Sequence, residues 1–427
     1  RLARARTGGL SSPDEYRHAL RDAARACLYG VDRNPFAVEL AVVALWIETV
    51  DPGKPLGFLD ANIRCGDSLL GLYDLAALAE GVPDAAYKPL TGDDKPTAKY
   101  FSQRNRDERK GQADLLHGGR KLPAAAKLAA ALLAMRALPE DSPDEIAAKR
   151  ERWKELQSGP LTHARGEAAD LYIASFLLPK TGGPPALGRE PMVPTTGDVW
   201  RALAGRQGHP PMVARAVDAS RAERAFHWPL EFPDIFLRGK FDVVLGNPPW
   251  EVMQLGEEEY FAQRLPDIAG LAGATRKRAI AELATERPSI FAEYEADKRL
   301  FEASAEFARS SGRFDRTAKG KINTYALFAE LFSMLASPRG RAGVIVPTGI
   351  ATDATTAPFF AALIEGKRLF ALHDFQTGMG FFDRIGHARF KFCLLTVGAR
   401  QTGPERPSFS FFARTEEDFR DHRRHFS

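Results

Sequence analysis

The stretch Val243-Val244-Leu245-Gly246-Asn247-Pro248-Pro249-Trp250 puts an amide, two prolines and an indole directly after a short apolar run. A residue that precedes proline is pushed out of the helical region, so Asn247 continues extended into whatever follows. Pro248 and Pro249 have a fixed φ and no N–H, and the backbone there offers carbonyl acceptors on a stiff frame. Asn247 adds an amide oxygen and Trp250 a flat apolar face. Two acceptors beside an aromatic face make a clamp for an exocyclic amino group on a planar ring. Such a nitrogen is a weak nucleophile because its lone pair is delocalised into the ring. Accepting both N–H hydrogens favours a pyramidal nitrogen whose lone pair can attack. Positioning of this kind can lower a barrier by roughly 7–11 kcal/mol in favourable cases. An ordinary proline turn with a core tryptophan is the plain alternative, and the preceding strand pattern "FDVVLG" favours the clamp.

Two acidic residues end earlier strand-like runs: Asp32 after "CLYGV" and Asp67 after "NIRCG". In an open parallel sheet, ligands bind where the carboxyl ends of the strands meet their loops. A carboxylate there suits a ribose diol, which offers two donors to one acceptor group. A second carboxylate on the next strand can accept from an adenine amino group. Each could instead cap a helix, Asp32 before "NPFAVEL" and Asp67 before Ser68. Their common place on successive strands favours an adenosine-type cofactor.

The elements that must position these residues follow from pattern. "SPDEYRHALRDAARA" reads as a helix that starts at Ser12 and Pro13. "NPFAVELAVVALWIETV" reads as a strongly apolar helix with Pro35 in its first turn. Strand, helix, strand within about 40 residues is a βαβ unit and implies parallel strands in a covered sheet. Residues 75–225 break that rhythm with helical and Pro/Gly-rich segments. "GKFDVVLGNPPW" returns to the sheet, and 253–312 is again helical. "TYALFAELFSMLAS" is an amphipathic helix. "GRAGVIVPTGIATD" is a strand whose end carries Pro347, Thr348 and Gly349. "RLFALHDFQ" and "RFKFCLLTV" complete the set.

Bulk properties exclude some classes. The chain has 427 residues, 44% of them hydrophobic, and a formal net charge of +4. That permits a nucleic-acid partner without demanding one. No apolar run is long enough for a membrane span, which needs about 18 residues or more. Cys27, Cys65 and Cys393 have no CxxC spacing, the histidines no metal spacing, and the usage fits a reducing cytoplasm. Asp84, Asp93, Asp94 and Lys95 form a loose nuclease-like pattern, but in a turn-rich segment rather than on neighbouring strands.

With these residues in hand, the chain resembles the adenine-N6 DNA methyltransferases of restriction–modification systems, of the gamma arrangement and type IIG-like. The resemblance runs through Asp32 with "NPFAVELA", "CGDSLLG", "DVVLGNPPW", "NTYALFAELFSML", "GVIVPTGIATD" and "FKFCLLTV". It implies an α/β fold: a Rossmann-like methyltransferase sheet, mostly parallel with an antiparallel edge strand, carrying a large helical insertion. It implies S-adenosylmethionine as cofactor, with Asp32 on its ribose, Asp67 on its adenine amino group and Ser68 beside it. Asn247 and the Pro248 carbonyl, on the Pro249-Trp250 frame, would hold the target amino group. Trp250 would stack on a base flipped out of double-stranded DNA, with Phe382 or Phe381 as a second stacking aromatic. Arg313, Arg316, Lys319 and Lys321 would meet the DNA backbone. One family feature is missing. No Gly-rich loop of the D-P-x-x-G-S-G type is present, and the chain reads as starting just after it.

The expected organisation is residues 1–74 as the first part of the methyltransferase domain, 75–225 as a helical insertion, 226–400 as the catalytic remainder, and 401–427 as the start of a further region. Methylation of RNA or of a protein glutamine poses the same chemical problem and stays open. So does a non-catalytic role in a defence complex, with a recognition or nuclease part elsewhere in the protein.

Overall fold

The computed structural model describes residues 1–115, 125–185, 192–376, 391–398, 404, 406–421 and 425–426. They form two compact units. The first comprises 1–82, 103–178 and 185–238, and the second 83–102, 179–184 and 239–427. This division departs from the boundaries expected from sequence. Residues 75–225 do not stand apart: most of them fold with the N-terminal βαβ segment, and two short pieces fold with the later sheet.

In the first unit, Ser12 accepts the Glu15 amide at 3.1 Å and starts the Pro13–Cys27 helix. The chain then makes β1 (Gly30–Asp32), the Pro35–Glu48 helix and β2 (Ile63–Cys65). The two strands pair in parallel, Asp32 opposite Cys65. The Pro35–Glu48 helix has no buried residue. Phe36, Leu40, Val43 and Ile47 are all exposed. The helices Ala125–Arg136 and Pro143–Ser158 bring Leu132, Met135, Ile146, Trp153 and Leu156 against Phe58 and Ala61 in a shared core.

The second unit holds a six-stranded mixed sheet with strand order β3-β4-β6-β5-β7-β8. Its strands are β3 (Phe241–Gly246), β4 (Ala336–Pro347), β5 (Leu369–Gln376), β6 (Lys391–Gly398), β7 (Ser408–Ala413) and β8 (His425–Phe426). β3 pairs in parallel with β4, and β5 with β7, while β6 is antiparallel to both β4 and β5. The Thr324–Leu335 helix lays Tyr325, Ala326 and Ala329 on this sheet, against Val344, Val346, Leu372 and Leu395.

Two expectations are corrected here. The main antiparallel strand, β6, is interior rather than at an edge. Its Phe392, Cys393, Leu395 and Val397 are all buried; a strand apolar on both faces is most stable with neighbours and layers on both sides. The sheet also continues past "FKFCLLTV", because β7 pairs with β5 through Ala371–Phe375. Within the stretch expected to open a separate region, 408–413 and 425–426 therefore belong to the sheet. β3, for its part, is hydrogen-bonded to β4 and not to β1 or β2.

The short segments 83–102 and 179–184 are fixed to the second unit by buried charge. Asp93 meets Arg299 at 2.8 Å and accepts the Lys180 amide at 2.8 Å. Asp94 accepts the Gly182 amide at 2.9 Å and gives its own amide to the Lys180 carbonyl at 2.9 Å. Two of the three aspartates of the nuclease-like pattern, Asp93 and Asp94, are thus engaged in holding chain segments together. Among the described residues no group of three or more His, Cys, Asp or Glu could hold a metal ion.

Lys180 is fully buried, with its ammonium 5.9 Å from the Tyr87 ring centroid. Burial, aided by the Arg299 charge, lowers its pKa to about 7. The unfolded chain keeps the ordinary lysine value, about 10.4. Between these values the unfolded state binds a proton that the folded state does not. Stability therefore rises with pH across that window, by up to about 1.4 kcal/mol per unit. Lys180→Met should be the more stable form at pH 7, and its advantage should shrink steadily toward pH 10. Denaturant melts of both proteins at each pH check this; a difference that does not change with pH would contradict the buried-lysine assignment.

Candidate active site

The first unit gathers Asp32, Asp67 and Ser68 at the carboxyl ends of two adjacent parallel strands. The Gly66 amide donates to the Asp32 carbonyl at 2.9 Å and keeps the strand ends in register. Asn34, not Asp32, caps the following helix, by accepting the Phe36 amide at 3.0 Å. Asp32 accepts the Asn34 amide at 2.7 Å through Oδ1 alone, and the residue is exposed. Its second oxygen has no hydrogen-bond partner among the described residues and suits a diol.

Asp67 is more committed. Its Oδ1 accepts the Leu69 and Leu70 amides at 2.9 and 3.2 Å. Its Oδ2 lies 3.7 Å from Arg33 Nε, and Arg33 also pairs with Glu223 at 3.1 Å. An amino group can reach Oδ2 only by sharing it with Arg33. Ser68 contributes its carbonyl to the Trp228 indole N–H at 3.2 Å. The residues thus fit an adenosine at Asp32, and at Asp67 through one oxygen.

Sequence reasoning missed what builds this turn. Residues 224–228 run beside 67–72: the Asp67 amide donates to the Arg224 carbonyl at 2.7 Å, Phe226 N to Leu70 O at 2.7 Å, and Trp228 N to Leu72 O at 2.9 Å. Phe226 fills the space over both glycines of "CGDSLLG". A Cβ on Gly66 would come within 2.3 Å of the Phe226 ring, and one on Gly71, where φ is +139°, within 2.2 Å of its carbonyl oxygen. The spacing of those glycines was visible in the sequence, but the aromatic that requires them lies some 155 residues on.

The second unit carries the Asn247–Trp250 tip at the carboxyl end of β3. Gly246 is required where the Thr324–Leu335 helix crosses, since a Cβ there would meet the Phe332 ring at 2.6 Å. Asn247 is exposed, Pro248 buried, and Trp250 is 41% exposed with a long 3.4 Å contact from its indole N–H to the Ile345 carbonyl. Beyond Trp250 the chain is tied to residues 322–324. Met253 N donates to Ile322 O at 2.9 Å, Thr324 N to Glu251 O at 2.9 Å, and Val252 bridges Asn323.

The Thr324 hydroxyl reaches the Pro249 carbonyl at 2.7 Å and the Glu251 carbonyl at 3.1 Å. The Thr324 amide already serves Glu251, so the hydroxyl proton goes to Pro249. Among the described residues, neither the Asn247 amide nor the Pro248 carbonyl has a hydrogen-bond partner. These are the two acceptors that the sequence singled out. At the same edge, Thr348 donates to the buried Asp374 of β5. Cys393 is close by on β6, but burial pushes its thiol up to about 12, so it supplies no thiolate.

The loop 313–321 presents only some of its expected cations. Arg313 is buried, its guanidinium 4.9 Å from the Phe314 ring centroid, and does not face solvent as a backbone-contacting residue would. Thr317 anchors the loop through its amide and hydroxyl, at 3.1 and 2.6 Å from Glu330, whose carboxyl is raised in pKa by burial. Arg316 lies 3.9 Å from the same carboxylate. Lys319 and Lys321 are exposed. Phe381 and Phe382 lie outside the described residues.

A family model described as "Eco57I restriction-modification methylase" matches residues 194–271, which include β3 and the tip. Among solved structures, the chain is similar to the type IIG restriction endonuclease BpuSI at 12% identity, over 95% of this chain and 42% of that one, with a TM-score of 0.25. It is also similar to a nuclease-deletion mutant of the type ISP restriction-modification enzyme LlaGI in complex with a DNA substrate mimic, at 9% identity, over 97% and 42%, with a TM-score of 0.24. The chain spans less than half of either, and likeness at that level carries no argument. No curated protein matches. No helix among the described residues is long and apolar enough to cross a membrane.

The glycine geometry gives a direct check. Gly71→Ala adds both backbone strain and a clash with Phe226, and should cost about 2–4 kcal/mol of stability. Gly53→Ala, at φ +85° with open space around it, adds strain alone and should cost about 1 kcal/mol. Equal losses in denaturant unfolding would mean that Phe226 does not pack as described.

Proposed function

We propose that this chain is the methyl-transferring part of a restriction–modification methylase that acts on the N6 amino group of adenine in double-stranded DNA, in the cytoplasm. The observation that carries the reading is the selective availability of acceptors on the tip. Pro249 is occupied by Thr324, while the exposed Asn247 amide and the carbonyl of the buried Pro248 have no hydrogen-bond partner among the described residues, beside the half-exposed Trp250. The restriction-modification methylase match covers the same residues.

In this reading Asn247 Oδ1 and the Pro248 carbonyl each accept one N–H of the target amino group, which localises its lone pair. The Trp250 face holds the ring, and the prolines keep the acceptors rigid, so little reorganisation is needed when charge develops. The base must leave the duplex first, at a cost of a few kcal/mol that stacking on Trp250 offsets. Asp32 and Asp67 would hold S-adenosylmethionine by its ribose hydroxyls and adenine amino group. That cofactor supplies an electrophilic methyl group on its sulfonium sulfur.

The test uses the complete protein that contains this chain, labelled S-adenosylmethionine and unmethylated duplex DNA, with nucleoside analysis of the product. Label should appear as N6-methyladenine. Asn247→Ala should lower the rate by roughly 10²-fold or more, as loss of a single preorganised hydrogen-bonding group does in other enzymes, and leave cofactor affinity within a factor of about two. Label in RNA or protein instead would reassign the substrate. Cofactor binding without transfer to any acceptor would favour a non-catalytic subunit.

A further inference from the structure

A second feature of the sheet-bearing unit shares only Lys321 with the site residues singled out above. A cavity of about 900 Å³ is lined by the irregular segment that leaves the tip, Val252 to Leu255, and by the helices Gly273–Glu286 and Pro288–Ser310. Its size is within the range of ligand sites, roughly 300–1,000 Å³. Part of the wall is aromatic and apolar: Phe291, Phe301 and Met253, with Phe301 39% exposed.

The charges on the wall are unevenly matched. Glu302 accepts from the Thr91 amide and hydroxyl at 2.8 and 2.9 Å, Glu306 pairs with Lys88 at 3.3 Å, Glu257 accepts from Tyr294 at 3.3 Å, and Glu295 is the one lining carboxylate without a hydrogen-bond or cationic partner among the described residues. Lys277, Lys298 and Lys321 line the same cavity. None of the three has a carboxylate partner among the described residues, although Arg276 and Arg278 beside Lys277 both do. Three ammonium groups without carboxylate partners, one of them 5.7 Å from the Tyr294 ring centroid, together with the exposed Phe301 ring match a nucleotide, whose phosphate seeks cations and whose base stacks on a ring without regard to sequence.

We propose that this cavity is a nucleotide site, with the base against Phe301 and Phe291 and the phosphate on Lys277, Lys298 and Lys321. Its place fixes the more direct source of that nucleotide. Val252, on the wall, is only two residues from Trp250 and is held to Asn323, and consecutive Cα atoms are about 3.8 Å apart. A strand whose target base sits on the tip would bring its neighbouring nucleotide to the cavity. The site then reads the flank of the target and tightens substrate binding without touching the reacting nitrogen. This deepens the methylation reading and rests on it.

The experiment measures anisotropy of a fluorescein-labelled, mixed-sequence single-stranded octanucleotide on the complete protein. Wild type is compared with Phe301→Ala, with Lys298→Gln/Lys321→Gln, and with Asn247→Ala. Phe301 and the lysines are surface groups, and unchanged melting confirms that the variants fold. Phe301→Ala should weaken binding at least 5-fold. The double lysine variant should lower the slope of log affinity against log salt by up to about 0.7, the value for one neutralised phosphate on a single strand. Methyl transfer by both should show a raised KM and an unchanged kcat. Affinity and salt slope equal to wild type would overturn the site, as would no binding by the wild type. A separate arm adds the four nucleoside 5′-monophosphates. Saturable binding of a free nucleotide that Phe301→Ala abolishes, with octanucleotide binding unaffected, would replace the strand by a small effector. The two readings separate cleanly: N6-methyladenine lost in Asn247→Ala, with the KM for DNA and octanucleotide affinity both indifferent to Phe301→Ala, keeps the methylation and removes the site. Label outside DNA with Phe301-dependent octanucleotide binding does the reverse.

Discussion

One hydroxyl decides what the Asn247–Trp250 tip can do. Proline-rich backbone has no donors, so every carbonyl along it stays open unless another segment supplies a proton. Thr324 supplies one, to Pro249. That leaves the Pro248 carbonyl and the Asn247 amide as a matched pair of acceptors and keeps Pro249 from competing with them. Thr324 is itself immobilised, because it opens a helix whose next residues, Tyr325 and Ala326, are buried on the sheet. The precision of the tip is therefore inherited from the hydrophobic core one turn away.

The two aspartates illustrate how similar positions diverge in availability. Both end parallel strands, and both accept backbone amides from the turn that follows. Asp32 accepts one and keeps an oxygen exposed. Asp67 accepts two and faces Arg33 with the other oxygen. The charge of Arg33 is divided between Asp67 and Glu223, which weakens its hold on either. A ligand amino group at Asp67 would compete with a shared, half-exposed cation, and pairs of that kind contribute little, typically ~0–1 kcal/mol. The competition is thus modest.

Much of this was legible in the sequence because it is local. Strand ends, the Ser12 and Pro35 helix starts, and the stiff tip all follow from neighbours within a few residues. What was not legible depends on partners far along the chain. Thr324 lies some 75 residues beyond Pro249, and Phe226 some 155 beyond Gly71. Nothing in "NTYALF" announces that its threonine will donate to a proline carbonyl. Strand order is of the same kind. "FKFCLLTV" declares a buried strand, but whether it ends the sheet or enters it depends on β7, whose short run "SFSFFA" alternates polar and apolar for only four residues. The buried Asp93–Arg299 pair was hidden for a different reason: a charged residue in a turn-rich segment looks solvated until its partner is known.

The Pro35–Glu48 helix shows where local reading and packing diverge most. Its sequence is apolar on nearly every side, the pattern of a helix buried all round. Yet Phe36, Leu40, Val43 and Ile47 are exposed, at spacings of four, three and four that trace one face. β3 has a parallel case, since Val243 and Leu245 are 63% and 76% exposed and share one face. Parallel sheets are stable when helices cover both faces, and open apolar surface of this kind normally has a covering element. Each of these faces belongs to an element next to a proposed site residue, Asp32 at the end of β1 just before the helix and Asn247 just after β3. Whatever covers them bears directly on those strand ends. The apolar composition of the helix is thus best understood as a requirement for cover next to the site, and not as a property that the described residues of its own unit satisfy.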